Sequence, residues 1–546
     1  MRALMQDWSL TLDKIFDQAA RWHGDREVIT RSVEGPIVRS TYAEVYARAK
    51  QVSHGLREQR IGPGDRVATM AWNSDRHLEV WYGAVGIGAV LHTLNPRLFP
   101  EQLVYIANHA EDKILFADPA CAPLLEEILP QCPTIERVIF LCDAAIRPVT
   151  SFPSEAYETW LCGRPADAAW GGFDENTAAG LCYTSGTTGN PKGVLYGHRS
   201  NYLHAMMSLQ PDALNLSSRD TVLLIVPMYH ANAWGVMYSA PLVGAKLVLP
   251  GQKLDGASLH ELIETEGVTY SAGVPTIWQM LIAHLKETNG KLTTLRSATV
   301  GGSALPESIV RTLHDDYGVD VIQGWGMTET SPLGTVSRPS AKTQRLSFDE
   351  QVAYKLKQGR PISNIDIKLV DDEGVRLPHD GRTFGRLMVK GPTIASGYFK
   401  GEGGDPIDAE GFFDTGDVAT IDPDGWMQIT DRAKDVIKSG GEWISSIDVE
   451  NIAVGHPKAA LCAVIGVSHP KWDERPVLLV QLKPGVTADK QEFLDYLDGK
   501  IARWWTPDDV VFVDDIPLGA TGKIDKKLLR TRMTGYALPF DPDLKR

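Results

Sequence analysis

The chain has few cysteines, and none of them is arranged for redox or metal chemistry. Its 546 residues contain six cysteines, with no Cys-x-x-Cys pair and no spacing typical of metal ligands. In a chain of this length we interpret them as reduced, mostly buried thiols of a cytoplasmic protein. The sequence therefore predicts neither a disulfide scaffold nor a zinc site.

The chain also lacks an excess of positive charge. Lys and Arg number 55 against 69 Asp and Glu, which gives a net charge of −14. This balance argues against nucleic acid or an anionic membrane as a bulk partner. An anionic small ligand would have to be held by a local group of positive side chains, so the few lysines inside motifs become informative.

Long uninterrupted apolar runs are missing as well. Between Asp220 and Lys246 no acidic or basic residue appears apart from His230, but Pro227, Asn232 and Pro241 interrupt the run. A buried strand, a loop and a second buried segment explain it better than a membrane span. At the N-terminus, acidic residues inside the first apolar segment predict that there is no signal peptide.

Three common catalytic signatures are absent from the sequence. No Gly-x-Ser-x-Gly elbow occurs, which weakens a serine hydrolase, and no Gly-x-Gly-x-x-Gly opens a helix after a strand, which weakens a dinucleotide oxidoreductase. No segment satisfies the Walker A pattern either. A nucleotide site of the usual P-loop kind is therefore not expected.

What is present is a repeated alternation of strand and helix patterns, which predicts parallel sheets covered by helices. Tyr42 to Gln59 places apolar residues on one helical face, and His77 to Leu91 is a mostly apolar run that we predict to be one helix. Strands are predicted at 67–71, 113–117, 137–141, 178–182, 222–226, 246–249, 268–272, 297–300 and 319–323. No motif before residue 170 carries chemistry that we can identify.

Beyond residue 340 the pattern changes to short alternating segments between Gly, Pro and Asp turns, which predicts a small antiparallel β-subdomain. The charged segment Asp431–Asp435 is typical of a linker or hinge. The residues after it predict a small α+β domain, with a helix from Ala488 to Trp504. The predicted fold is thus α/β, with residues 1–430 as a large N-terminal domain and 431–546 as a small C-terminal domain.

The most informative stretch is the loop from Tyr183 to Gly193, which follows the strand at 178–182. It concentrates three glycines, four aliphatic hydroxyls and Lys192 in eleven residues. Glycine lets backbone N–H groups turn toward an anion, the hydroxyls add donors, and the lysine adds a mobile positive charge. The composition alone also fits an ordinary surface turn, but the segment as a whole indicates a polyphosphate-binding loop.

Four further motifs follow in order: Gly324–Thr330, Phe413–Asp417, Lys438–Trp443 and Pro517–Lys523. Together with the loop, they make nearly the whole chain resemble the adenylate-forming superfamily of acyl-CoA synthetases, luciferases and peptide-synthetase adenylation domains. The resemblance implies that two α/β sheet subdomains and the β-subdomain build the large adenylation domain. It also implies that the C-terminal domain is mobile and rotates about a hinge near Asp431.

The resemblance implies a nucleotide site for ATP and AMP. Trp325 stands where most members have tyrosine, and its flat ring still suits stacking near adenine, while Asp417 has the position that binds the ribose hydroxyls. The implied nucleotide-binding residues are Thr184, Ser185, Gly186, Thr187, Thr188, Gly189, Lys192, Gly302, Ser303, Gly324, Trp325, Gly326, Met327, Thr328, Asp417, Arg432 and Lys434.

The implied catalytic residues are Lys523, Glu329 and His230, with no general-base role given to His230. Glu329 and Thr184 are the candidate ligands of Mg²⁺, which prefers hard oxygen ligands. The acyl pocket is expected from His230, Trp234, Gly301, Gly302 and Pro332. Coenzyme A is expected at Lys438, Gly440, Gly441, Glu442, Trp443 and Glu474.

The reaction that the resemblance implies is ligation of a carboxylic acid to coenzyme A at the expense of ATP. Among such ligases the motifs are most similar to those for medium- and long-chain fatty acids, and within these to the 3-methylmercaptopropionate–CoA ligases of dimethylsulfoniopropionate breakdown. A medium-chain fatty acid ligase, an enzyme that loads a carrier protein, and a non-catalytic nucleotide-binding protein remain alternatives. A homodimer is implied by the resemblance only.

Overall fold

The computed structural model describes residues 1, 3–184, 190–432, 435–439, 442–519, 524–536 and 538–539. Within these residues it contains 25 strands, 16 α-helices and seven short 3-10 turns. The strands are β1 (Glu27–Arg31), β2 (Ile37–Thr41), β3 (Arg66–Met70), β4 (Val90–Thr93), β5 (Ile114–Ala117), β6 (Arg137–Phe140), β7 (Ser154–Ala156), β8 (Ala178–Tyr183), β9 (Gly193–Gly197), β10 (Thr221–Leu223), β11 (Lys246–Leu249), β12 (Tyr270–Gly273), β13 (Ser297–Gly301), β14 (Asp320–Gly326), β15 (Leu333–Val336), β16 (Arg360–Pro361), β17 (Asp366–Val370), β18 (Gly385–Lys390), β19 (Phe413–Ile421), β20 (Met427–Arg432), β21 (Ile437–Ser439), β22 (Glu442–Ile444), β23 (Ala459–His469), β24 (Asp473–Leu482) and β25 (Asp509–Phe512).

The helices connect these strands and cover the sheets, as expected for an α/β protein. They are α1 (Asp13–Trp22), α2 (Tyr42–Glu58), α3 (Asp75–Gly86), α4 (Pro100–Ala110), α5 (Ala122–Ile128), α6 (Tyr157–Leu161), α7 (His198–Ser208), α8 (Ala231–Trp234), α9 (Val236–Val243), α10 (Gly256–Glu266), α11 (Pro275–Thr288), α12 (Glu307–Asp315), α13 (Phe348–Lys355), α14 (Ser446–Ala453), α15 (Lys490–Leu497) and α16 (Lys526–Arg532).

Two sheets with mostly parallel pairing form the body of the N-terminal domain. The first has the strand order β7-β6-β5-β3-β4-β8-β9, and only the β8–β9 pair is antiparallel. The second has the order β16-β15-β14-β13-β12-β10-β11-β1-β2 and is parallel from β1 through β14. Parallel strands place their carboxyl ends at one edge, so the loops after β10, β13 and β14 meet there.

Helices α1, α2, α3 and α9 belong to the buried layer between these two sheets. The Phe16 and Tyr82 rings stack at 4.0 Å between centroids, and the Tyr82 hydroxyl donates to Met237 O at 3.0 Å. Helix α3 is buried all round from His77 to Gly86, which explains why its sequence shows no polar face.

The remaining sheets match the predicted change of pattern beyond residue 340. An antiparallel sheet of order β17-β18-β19-β20 forms the β-subdomain. The small C-terminal domain contains β22-β21-β24-β23, with β25 parallel to β24. Its main core is apolar and includes Val449, Val464 and Phe493. The predicted α/β fold with a large and a small domain is confirmed.

Several predicted elements have different ends in the structure. Helix α2 confirms the prediction for 42–59 and begins at Tyr42, after the N-cap residue Thr41, whose side chain forms a capping box with Glu44. The single helix predicted from His77 to Leu91 is wrong, because α3 ends at Gly86 and Val90 already starts β4. The helix predicted from Ala488 to Trp504 is also too long, since α15 ends at Leu497.

Candidate active site

The phosphate-loop candidate is closed at its base by two hydrogen bonds between its ends. The Thr184 N–H donates to Lys192 O at 2.9 Å, and the Lys192 N–H donates to Thr184 Oγ1 at 3.2 Å. The predicted site residues Ser185, Gly186, Thr187, Thr188 and Gly189 lie outside the described residues. Because strand β8 leads directly into Thr184, the loop begins at the carboxyl end of a buried parallel strand.

Lys192, the positive charge of this loop, lies against a loop of the β-subdomain. Its Nζ is 4.7 Å from the centroid of the Tyr398 ring, within cation–π distance. Gly403 has φ +81°, and a Cβ built there would lie 2.3 Å from Lys192 Nζ. The absence of a side chain at Gly403 is therefore what lets the lysine occupy this place.

Glu329, the metal-ligand candidate, is buried directly after β14. It lies in a short 3-10 turn from Thr328 to Thr330 and is 6% exposed. Burial raises the pKa of its carboxyl group above the usual range, although the Tyr398 hydroxyl, which donates to Glu329 Oε1 at 2.7 Å, acts in the opposite direction. Tyr398 thus contacts both the lysine of the phosphate loop and this carboxylate.

The ribose candidate Asp417 lies in β19, where two side chains bind its two oxygens. The Trp325 indole N–H donates to Oδ2 at 3.1 Å, and Arg432 Nε is 2.9 Å from Oδ1. Asp417 is 3% exposed, and each carboxylate oxygen retains a lone pair for a further donor. The structure therefore brings together three residues that the sequence separates by up to 107 positions.

Close backbone packing surrounds Trp325. A Cβ built at Gly334 would lie 2.7 Å from its ring, and one built at Gly326 would lie 1.8 Å from Pro332 O. Both glycines are therefore required by the approach of neighbouring atoms rather than by turn conformation. The adjacent candidates Met327 and Thr328 hold the motif in place: the Met327 N–H donates to Thr330 Oγ1, and Thr328 O accepts from the Tyr196 hydroxyl at 2.7 Å.

The acyl-pocket candidates Trp234, Gly301 and Gly302 are brought into contact. A Cβ built at Gly301 would lie 3.2 Å from the Trp234 ring and 2.8 Å from Gly324 O, so the ring packs directly on this glycine pair. Ser303 follows them in the loop after β13 and is exposed. The structure shows close packing along that wall, while its contact with an acyl group stays a prediction.

The segment that carries His230 and Trp234 has an uncommon backbone. Residues 231–235 all have positive φ, with values of 40°, 59°, 51°, 55° and 74°, and only the last of them is glycine. Such left-handed conformations cost about 1–2 kcal/mol for each non-glycine residue. His230 is half-buried at the start of this left-handed turn, with its ring 4.8 Å from that of Tyr229.

The hinge candidate Asp431 is buried at the junction with the C-terminal domain. Its carboxylate accepts from the Ser446 N–H at 3.0 Å and lies near Lys526, which pairs with Glu450 at 2.9 Å. Burial raises the pKa of the Asp431 carboxyl group, and Lys526 opposes that effect. The structure places Asp431 between the two domains, whereas its action as a hinge stays a prediction.

Only part of the proposed coenzyme A surface is described. The Lys438 N–H donates to Glu474 Oε2 at 3.1 Å, and Lys438 Nζ is 3.8 Å from Asp372 Oδ2 of the β-subdomain. Glu442 and Trp443 belong to β22, and their side chains are not described. Lys434, Gly440, Gly441 and Lys523 lie outside the described residues.

Sequence reasoning missed Tyr398, because it carries no charge and lies in no segment with the hydrophobic periodicity of a helix or strand. It also assigned no chemistry to the first 170 residues, where Asn73 contacts the segment before His230.

Among the described residues, no cluster of three or more His, Cys, Asp and Glu could hold a metal ion by itself. No helix in the described parts of the chain is long and apolar enough to cross a membrane.

Two family models match this chain. The family model described as AMP-binding enzyme matches residues 15–399, and the model described as AMP-binding enzyme C-terminal domain matches residues 448–523. The fold is similar to that of a solved anthranilate CoA ligase, AuaEII, in complex with anthranoyl-AMP. That comparison has a TM-score of 0.85 at 24% identity and covers 97% of this chain and 99% of the other.

Two curated relatives are similar over nearly their whole length. A 3-methylmercaptopropionyl-CoA ligase of Ruegeria lacuscaerulensis is 48% identical over 531 residues, covering 97% of this chain and 98% of the relative. A medium-chain-fatty-acid–CoA ligase of Ectopseudomonas oleovorans is 48% identical over 524 residues, covering 96% of each. The chain therefore belongs to the AMP-binding enzyme family and is an AMP-forming acyl-CoA synthetase.

Proposed function

We propose that this synthetase activates 3-methylmercaptopropionate with ATP and transfers the acyl group to coenzyme A. The observation that carries the proposal is the 48% identity, over nearly the full length of both chains, to a ligase named for that acyl-CoA.

In the first half-reaction, a carboxylate oxygen of the acid attacks the α-phosphorus of ATP, and pyrophosphate leaves. Lys192 and the hydroxyls of the phosphate loop bind phosphate oxygens. Asp417 accepts hydrogen bonds from the ribose hydroxyls, and the Trp325 ring stacks near adenine. Lys523 neutralises charge that develops on the α-phosphate, as preorganised cations do in other transition states.

The donor set fits Mg²⁺, which is usually held by one or two carboxylates together with phosphates and water. Glu329 supplies one carboxylate, and Thr184 retains acceptor capacity on its hydroxyl. The ion would neutralise phosphate charge when bound. His230 lines the acid side of the site as a positioning group rather than as a base.

In the second half-reaction, the coenzyme A thiol attacks the acyl carbonyl carbon and AMP leaves. This step needs a different face at the same site, so the C-terminal domain rotates about Asp431. Lys523 then moves away, and the surface around Lys438, Glu442, Trp443 and Glu474 takes its place. The contact between the Lys438 N–H and Glu474 supports one continuous surface there.

A second candidate substrate is a medium-chain fatty acid, favoured by the equally similar relative from Ectopseudomonas oleovorans. Both candidates follow the same chemistry and differ in tail length and one sulfur atom. The proposal also takes coenzyme A, rather than the phosphopantetheine of a carrier protein, as the acceptor.

The test is pyrophosphate release from ATP and Mg²⁺ with acids from acetate through 3-methylmercaptopropionate, butyrate and octanoate to palmitate, with and without coenzyme A. Turnover that requires coenzyme A and is greatest with the short thioether acid supports the proposal. A maximum at octanoate replaces it with the fatty acid alternative. Release that is indifferent to coenzyme A argues for a carrier-protein acceptor.

A further inference from the structure

Asn73 lies where the two mostly parallel sheets meet. It follows strand β3 of the first sheet and is 2% exposed. Its backbone carbonyl accepts from the Gly251 N–H at 3.1 Å, just after β11 of the second sheet. Its side chain also reaches the second sheet, where it contacts the segment that leads from β10 to His230.

The Asn73 amide uses its two donors and its acceptor on this segment. Nδ2 donates to Leu224 O at 2.7 Å and to Val226 O at 2.8 Å, while Oδ1 accepts from the Met228 N–H at 2.8 Å. An extended chain presents such groups at alternate residues along one edge, where a neighbouring strand would normally pair with them. One side chain therefore replaces a strand partner.

Burial makes these three hydrogen bonds costly to lose. Leu224 and Val226 are 2% and 6% exposed, and Met228 is fully buried. A buried polar group without a partner costs about 1–3 kcal/mol. Asparagine suits this position because it combines two donors and one acceptor on a short side chain. Aspartate has almost the same shape but would face two carbonyl oxygens with a carboxylate.

The segment that Asn73 holds leads directly into the left-handed turn at 231–235. The His230 N–H donates to Pro227 O at 2.9 Å, which links the anchored residues to the turn. At the other end of the turn, a Cβ built at Gly235 would lie 2.5 Å from His204 Nδ1, so the chain is closely packed there. A strained backbone turn persists only where the surrounding structure holds it in place. Asn73 holds the residues that precede this turn.

We infer that Asn73 is a positioning residue for the acid-binding side of this synthetase. It holds residues 224–230 from the opposite sheet and so sets the place of His230 and of the turn that carries Trp234. This inference rests on the proposed function, in which that side binds the carboxylic acid. Asn73 itself contacts neither the Trp325–Asp417 pair nor Glu329, so nucleotide binding should depend on it much less.

The test compares Asn73→Asp and Asn73→Ala with Ser53→Ala, a control that also loses a buried hydrogen bond. The Ser53 hydroxyl donates to Gly83 O at 2.7 Å in the layer of helices between the two sheets. We expect both Asn73 variants to raise the KM for the acid about tenfold or more, with less than about a twofold change in the KM for ATP. Ser53→Ala should lower the melting temperature without separating the two KM values.

A second measurement is hydrogen–deuterium exchange of the intact wild type and variants. We expect faster exchange in the peptide covering residues 221–235 for Asn73→Asp, and no such local change for Ser53→Ala. An unchanged peptide, or a KM for ATP that rises together with that for the acid, would overturn the inference. Absence of acid-dependent pyrophosphate release in the wild type would instead contradict the proposed function, and the exchange result would still decide the role of Asn73.

Discussion

The Tyr398 hydroxyl donates a 2.7 Å hydrogen bond to the buried carboxylate of Glu329, while its ring lies 4.7 Å from the Lys192 ammonium. One side chain of the β-subdomain thereby sets the spacing between an anionic and a cationic candidate of the nucleotide site. The three residues come from different parts of the chain, and Tyr398 lies in the loop between β18 and β19. This loop therefore contributes to the site, although the sequence motifs do not include it.

Tyr398→Phe tests this arrangement, because it removes the hydroxyl and keeps the ring over Lys192. A hydrogen bond to a charged group contributes about 1.5–3 kcal/mol, so we expect ATP–pyrophosphate exchange to fall roughly tenfold to a hundredfold. The measurement is kcat/KM for exchange at saturating acid. Tyr354→Phe on helix α13 is the control, and an equal loss in both variants would argue against a specific role of Tyr398.

Asp417→Asn tests the ribose candidate with little change of shape. The substitution removes the charge that faces Arg432, and it leaves an amide where Trp325 donates and where two ribose hydroxyls would donate. We expect the KM for ATP to rise about tenfold or more, since charge-assisted hydrogen bonds are roughly twice as strong as neutral ones. The KM for the acid should stay nearly constant. A rise in the KM for the acid alone would show that Asp417 belongs to the acid-binding side of the site.

Gly326→Ala tests the close packing around Trp325. A Cβ at this position would lie 1.8 Å from Pro332 O, so the backbone of the motif must shift. We expect exchange activity to be lost almost completely, together with a lower melting temperature. Gly62→Ala is the control, because a Cβ there meets no atom within 4 Å and its φ is not left-handed. Full activity of Gly326→Ala would show that the motif can move away without cost.

Asp118→Asn tests a buried acid outside the active site. Asp118 is 2% exposed, one oxygen accepts from the Trp72 N–H at 2.7 Å, and burial raises the pKa of its carboxyl group to about 7. Because the folded state binds this proton more tightly than the unfolded chain does, the stability of the wild type should fall as pH rises from about 4 to about 7. The asparagine variant has no carboxyl group at this position, so its stability should not fall for this reason.

We therefore expect Asp118→Asn to be more stable than the wild type at pH 8 by roughly 2–4 kcal/mol, with the difference shrinking toward zero near pH 4. Denaturant unfolding at several pH values measures it. Asp212→Asn, at an exposed position, is the control and should show little difference at any pH. A difference for Asp118→Asn that does not change with pH would contradict the assignment.

Local patterns were enough for most of the secondary structure and for the candidate motifs. The helix predicted at 42–59 followed from its apolar face, and β11 and β13 followed from apolar runs between turn residues. The predicted ends of elements were wrong where one apolar run contains two secondary-structure elements. The run from His77 to Leu91 belongs to a helix and a strand that are both buried, so no change of polarity marks the turn at Gly88.

The amino-acid sequence by itself determined the α/β class, the order of the motifs and the family, because these depend on residue type and local spacing. Only the tertiary structure decided which residues meet. Trp325 binds Asp417 across 92 positions, Tyr398 reaches Glu329 across 69, and Asn73 reaches Met228 across 155. Such contacts arise where strands from different sheets end at a common edge, and local pattern carries no information about that convergence.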